Sequence, residues 1–86
     1  MTIDLKDTSS IKELHLLFQQ RLEFPDFYGK NWAAFWDAIT GLVDMPDCLI
    51  LKGWSDFSSS FPADSKVLYQ IINRYNSETR RKIKIE

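Results

Sequence analysis

Residues 48–51, Cys-Leu-Ile-Leu, constrain the fold more than any other stretch of this chain. Four apolar residues without alternation, ahead of Lys52 and Gly53, suit a strand buried on both faces, hence a central one. Alternation of polar and apolar residues at 2–5 (TIDL) and 82–86 (KIKIE) predicts a half-buried strand near each end. Strands joined by helices run parallel, and such crossovers are right-handed. With 48–51 in the middle the sheet order is 1-2-3. Two right-handed crossovers in one direction place every helix on one face. Thr2, Asp4, Lys82, Lys84 and Glu86 would then coat the other face.

The helices are legible from their spacing. Ser10 with Glu13 forms a capping box ahead of Ile11, Leu14, Leu17, Phe18 and Leu22, which predicts a helix over about 10–22 that Pro25 closes. Gly29 is expected to permit a tight turn, and Asn31 to cap a second helix over roughly 31–43 that Pro46 stops. WSDFSSSF is read as a short helix capped by Ser55. Val67, Leu68, Ile71, Ile72 and Tyr75 predict a last helix over about 64–77. No repeat or linker interrupts the pattern, so one domain spanning 1–86 is expected.

Composition narrows the class. At 44% hydrophobic and 27% charged residues the chain reads as an ordinary soluble protein. MTIDLKD lacks the basic and apolar regions of a signal peptide, and no apolar run approaches a membrane span. The single cysteine, Cys48, allows no internal disulfide, and in an apolar strand it is expected to be a small buried hydrophobe. A cytoplasmic protein is expected. Charge is uneven: residues 23–64 carry seven acids against two bases, and residues 65–86 carry six bases against two acids. An acidic middle suits a basic partner, and a basic tail could suit nucleic acid.

Six of the twelve aromatic residues fall between positions 24 and 36. On a helical wheel Trp32, Trp36, Ile39 and Val43 form one stripe with Phe35 beside it, as a core face does. Ala33, Asp37, Thr40 and Asp44 form a second stripe, offset by about 100° and turned to solvent. Catalysis finds little support. His15 is the only histidine and is expected at the surface of the first helix. Phosphate loops, paired metal ligands and nucleophile motifs are absent from the sequence, and Asp37 with Asp44 is too loose a pair for acid–base work. Neither an enzyme nor a metal or cofactor is expected.

The segment FYGKNWAAFWDAITGL, residues 27–42, resembles the barstar family, intracellular inhibitors of the bacterial ribonuclease barnase. The matching residues are Phe27-Tyr28, Gly29, Asn31, Trp36-Asp37 and Thr40-Gly41. The resemblance implies a two-layer α/β fold with a parallel three-stranded sheet. It also implies that the second helix and its preceding loop plug a nuclease active site, with Asp37 in the basic pocket that would hold substrate phosphate. Carried over by position, the partner contacts are Phe27, Gly29, Asn31, Asp37, Thr40, Gly41 and Asp44. The chain departs from the family pattern in places. Ala33 stands where the family has a second binding aspartate, Leu42 where it has tryptophan, and Phe27 where it has tyrosine. A glutamate of the family's last helix falls near Asn73 or Arg74.

The expected function is that of an immunity protein that occludes a bacterial toxin, a ribonuclease in the first instance, without direct nucleic-acid or membrane binding. Two rivals stay open. One is a nucleic-acid module using Arg80, Arg81, Lys82 and Lys84. The other is a barstar-fold binder of a non-nuclease partner.

Overall fold

The computed structural model describes the backbone of residues 1–86 and every side chain except that of Asp7. In chain order the elements are β1 (Thr2–Asp4), a 3₁₀ turn (Leu5–Asp7), α1 (Ile11–Leu22) and α2 (Trp32–Asp37). A π-helical turn (Ala38–Leu42), β2 (Cys48–Lys52), α3 (Trp54–Ser60), α4 (Pro62–Glu78) and β3 (Lys82–Ile85) follow. The sheet is parallel in the order β1-β2-β3, with Ile3 opposite Leu51 and Leu49 opposite Ile83. The expected α/β topology is therefore the observed one.

Alternation along the strands divides the sheet. Ile3, Leu49, Leu51 and Ile83 are buried in one core with Leu14, Phe18, Phe35, Leu68, Ile72 and Tyr75 from the helices. Thr2, Lys52, Lys82 and Lys84 lie exposed, as a sheet covered on one side requires. This corrects the reading of residues 48–51 as buried on both faces. Leu49 and Leu51 are fully buried, but Cys48 and Ile50 are half-buried, because no helix covers their side. Cys48 is thus not a core thiol.

Local chemistry sets the element ends. The Ser10 hydroxyl accepts from the Glu13 amide at 3.1 Å, while the Glu13 carboxylate accepts from the amide and hydroxyl of Ser9, both at 2.9 Å. Those bonds hold the Glu13 carboxyl below its ordinary range. α3 is not capped by Ser55: its N-cap is Gly53, whose φ of 76° is left-handed, and an added Cβ would lie 2.9 Å from Lys6 Cγ. α4 begins earlier than its apolar pattern, because Pro62 at its first position needs no amide partner. The Asn76 side chain accepts from the Ile83 amide at 2.8 Å and donates to the Ile83 carbonyl at 2.9 Å. It thereby stands in for a missing strand along the edge of β3.

Candidate functional site

The loop before α2 is built from α1 outward. Glu23, at φ 59° and ψ 44°, ends α1 in the left-handed region. The Tyr28 amide then donates to the Pro25 carbonyl at 2.9 Å, closing a turn over residues 25–28. This turn sends its two aromatics opposite ways. Phe27 stands 75% exposed, the most exposed of the large apolar residues, whereas Tyr28 is buried. The Tyr28 hydroxyl shares a 2.6 Å hydrogen bond with His15 Nδ1.

His15 is therefore not a surface residue. It is 1% exposed on the core face of α1, with its ring centroid 4.5 Å from that of Trp32. Burial lowers its pKa, and the Asp64 carboxylate opposes that shift. Burial pushes the Tyr28 phenol well above its ordinary range. Asp64 accepts a hydrogen bond from the Trp32 indole at 2.9 Å, so α1, the loop, α2 and α4 meet in one network of satisfied polar groups.

Gly29, expected to permit a tight turn, is not itself left-handed. The left-handed residue is Lys30, at φ 53°. What Gly29 supplies is room: a Cβ there would meet the Ala34 Cβ at 3.2 Å and Asn31 Nδ2 at 3.3 Å. Asn31 caps α2 as expected, accepting from the Ala34 amide at 2.7 Å. Its amide group also donates to the Gly29 carbonyl at 3.3 Å. Both residues therefore have complete local roles at the exposed surface.

The second helix is not the straight helix expected over 31–43. The α-helix ends at Asp37, and a π turn follows. The expected core stripe faces the core, but only part of it is fully buried. The buried residues are Phe35, Ala38 and Ile39, while Trp32, Trp36 and Val43 are half-buried. Ala33, Asp37, Thr40, Gly41, Leu42 and Asp44 are exposed. Asp44 lies beyond the π turn, so it shares no helix face with Asp37. The Thr40 hydroxyl donates to the Trp36 carbonyl at 2.6 Å. At Gly41 an added Cβ meets nothing within 4 Å, so the fold makes no demand for glycine there.

The acids of residues 23–64 divide into engaged and unengaged ones. Asp47 pairs with Arg81, Asp56 pairs with Lys6, and Asp64 is engaged by Trp32. Among the described residues Glu23, Asp26, Asp37 and Asp44 have no ion-pair partner. Beside Asp37, α2 and α4 enclose an open groove of about 500 Å³. The Arg74 guanidinium lies over the Trp36 ring there, 4.2 Å from its centroid. Sequence reasoning missed this groove because Val67 and Ile71 were counted with the core stripe of α4. The signal was their pairing with Arg74 at i, i+4 and i+7. Among the described residues no cluster of three His, Cys, Asp or Glu side chains could hold a metal. Among the described residues no helix is long and apolar enough to cross a membrane.

The model of the family described as "Barstar (barnase inhibitor)" matches residues 1–86. A protein of Bacillus subtilis (strain 168) named "Putative ribonuclease inhibitor YrdF" is similar to the chain. It is 37% identical over 84 residues, which cover 96% of this chain and 91% of that protein. With a family match along its whole length and a parallel β1-β2-β3 sheet beneath four helices, the chain belongs to the barstar family.

Proposed function

We propose that this protein is an intracellular inhibitor that binds a bacterial toxin ribonuclease and occludes its active site, without being an enzyme itself. The observation that carries the reading is the division of labour within residues 27–44. Its buried aromatics go to the core, whereas Phe27, Asp37, Thr40, Gly41 and Asp44 are left at the surface, in a chain that matches the barstar family from end to end. Asp37 takes the place of a substrate phosphate in a basic active site. Phe27, Gly29, Asn31, Thr40, Gly41 and Asp44 surround it at the contact. The unpaired carboxylates attract the basic site, so capture is fast at low salt and slows as salt screens the charges.

The name of the Bacillus subtilis relative, a ribonuclease inhibitor, supports a ribonuclease as the target. The reading is tested by adding the purified protein to a panel of small bacterial ribonucleases, barnase among them. Stoichiometric loss of RNA cleavage by at least one member is expected. Uninhibited cleavage across the panel, with RNA bound directly by the protein, would favour the nucleic-acid rival instead.

A further inference from the structure

The groove between α2 and α4 has lips of opposite sign. Trp32 and Trp36 form one wall, Val67 and Ile71 the other, with Asp37 on the α2 lip and Arg74 on the α4 lip. Val67 is 39% exposed although apolar. The Arg74 guanidinium lies over the Trp36 ring, and its Nε donates to the Glu78 carboxylate at 2.7 Å, an ion pair on the exposed side of α4. Its two terminal nitrogens make no hydrogen bond among the described residues. A guanidinium placed in this way keeps those two nitrogens for a second carboxylate.

We infer that this groove is a specificity pocket for an aromatic or branched aliphatic side chain of the partner ribonuclease, flanked by a partner carboxylate on Arg74 and a partner base on Asp37. The inference rests on the proposed function above and adds to it the chemistry of the second contact. Charge complementarity selects this occupant. A uniformly basic surface, which an acidic helix alone would attract, leaves the two terminal nitrogens of Arg74 without an acceptor, although Glu78 offsets its charge. A uniformly acidic one is repelled by Asp37. Only a surface carrying both signs across an apolar knob satisfies both lips.

Paired NMR titrations of the full ¹⁵N-labelled chain read the selectivity of the groove directly. One probe is N-acetyl-phenylalanine, with an aromatic ring and a carboxylate; the other is its uncharged amide. Both are expected to move the indole signals of Trp32 and Trp36 and the amides of residues 67–74. The carboxylate should bind at least about threefold more tightly, and Arg74→Gln should abolish that preference. Equal affinity for the two probes, shifts spread away from the groove, or a preference that survives Arg74→Gln would overturn the inference. So would concentration-dependent shifts of the groove signals without probe, which would assign the groove to a second copy of the chain. Against a ribonuclease inhibited by the wild type, Arg74→Glu should weaken inhibition at least about tenfold. An Arg74→Glu protein that inhibits as well as the wild type sinks the groove alone. A chain that inhibits no ribonuclease sinks the proposed function, and the occupant named here with it.

Discussion

Phe35 and Trp36 are neighbours on α2 with different fates. Phe35 is 1% exposed and its ring lies 4.8 Å from that of Phe18 and 5.9 Å from that of Phe24. Trp36 is half-buried and covered on one side by Arg74. Phe35→Ala should therefore cost about 3–5 kcal/mol, as a cavity in a close-packed core does. Trp36→Ala should cost only about 1–2 kcal/mol, since solvent and Arg74 can settle into the space. Urea denaturation of the two variants checks this, and the reverse order would place the groove wall in the core. His15 offers a second test. Its pKa is lowered on folding, so the unfolded chain binds the extra proton first, and stability must fall as pH drops below the unfolded value of about 6.5. The groups facing it are Tyr28 from the loop, Trp32 from α2 and Asp64 from α4. The urea midpoint should decline from pH 7.5 to 5.5, and His15→Gln should flatten that decline. An unchanged pH slope in the variant would mean His15 titrates alike in both states. Its burial was legible in retrospect, because Ile11, Leu14, His15, Phe18 and Leu22 lie on one helical stripe. The polarity of the imidazole masked it, and the Tyr28 hydroxyl that satisfies it comes from a residue that spacing alone does not bring near.

At the scale of elements, strands and long helices were readable because period and burial agree. Ile3 and Ile83 alternate with exposed neighbours, and Leu14, Phe18 and Leu22 repeat at helical spacing. The second helix resisted for a physical reason. A wheel assumes one angular step throughout, and the π turn at Ala38–Leu42 uses more residues per turn, so the wheel does not carry Asp44 onto one face with Asp37. Exposure of Ala33, Asp37, Thr40 and Asp44 was nevertheless foreseen, because their stripe is offset from the aromatic one. Gly41 allows the proposed contact to be tested apart from folding. No atom lies within 4 Å of a Cβ placed there, so Gly41→Ala should change stability by less than about 1 kcal/mol. If a ribonuclease closes on the π turn, the added methyl should weaken inhibition several-fold. A variant equally stable and equally inhibitory would take the turn out of the contact.

Across the whole molecule the two charge blocks of the sequence acquire different uses. Arg81 pairs with Asp47, and the Lys82 ammonium donates to the Asn76 carbonyl near the C-terminus of α4, where a cation is favoured. The basic tail thus has work within the fold, although surface pairs of this kind stabilise little. Arg80→Gln with Arg81→Gln should leave ribonuclease inhibition nearly intact. Loss of inhibition in a folded double variant would move the contact to the tail. In the acidic block, by contrast, Asp37 and Asp44, like Glu23 and Asp26, have no ion-pair partner among the described residues. The separation of Asp37 and Asp44 from the core was visible in the sequence, but the opposite charge of Arg74 across the groove from Asp37 was not, because it depends on how α4 crosses α2. The most direct measurement is the inhibition constant of Asp37→Ala beside that of the wild type, against a ribonuclease that the wild type inhibits. The variant should keep its stability within about 1 kcal/mol, because Asp37 is exposed and outside the core. Its inhibition should weaken by about 2 kcal/mol or more, roughly thirtyfold, because charged groups of the ribonuclease lose their partner. A folded Asp37→Ala protein that inhibits as tightly as the wild type would contradict the assignment of Asp37 to the enzyme's phosphate pocket.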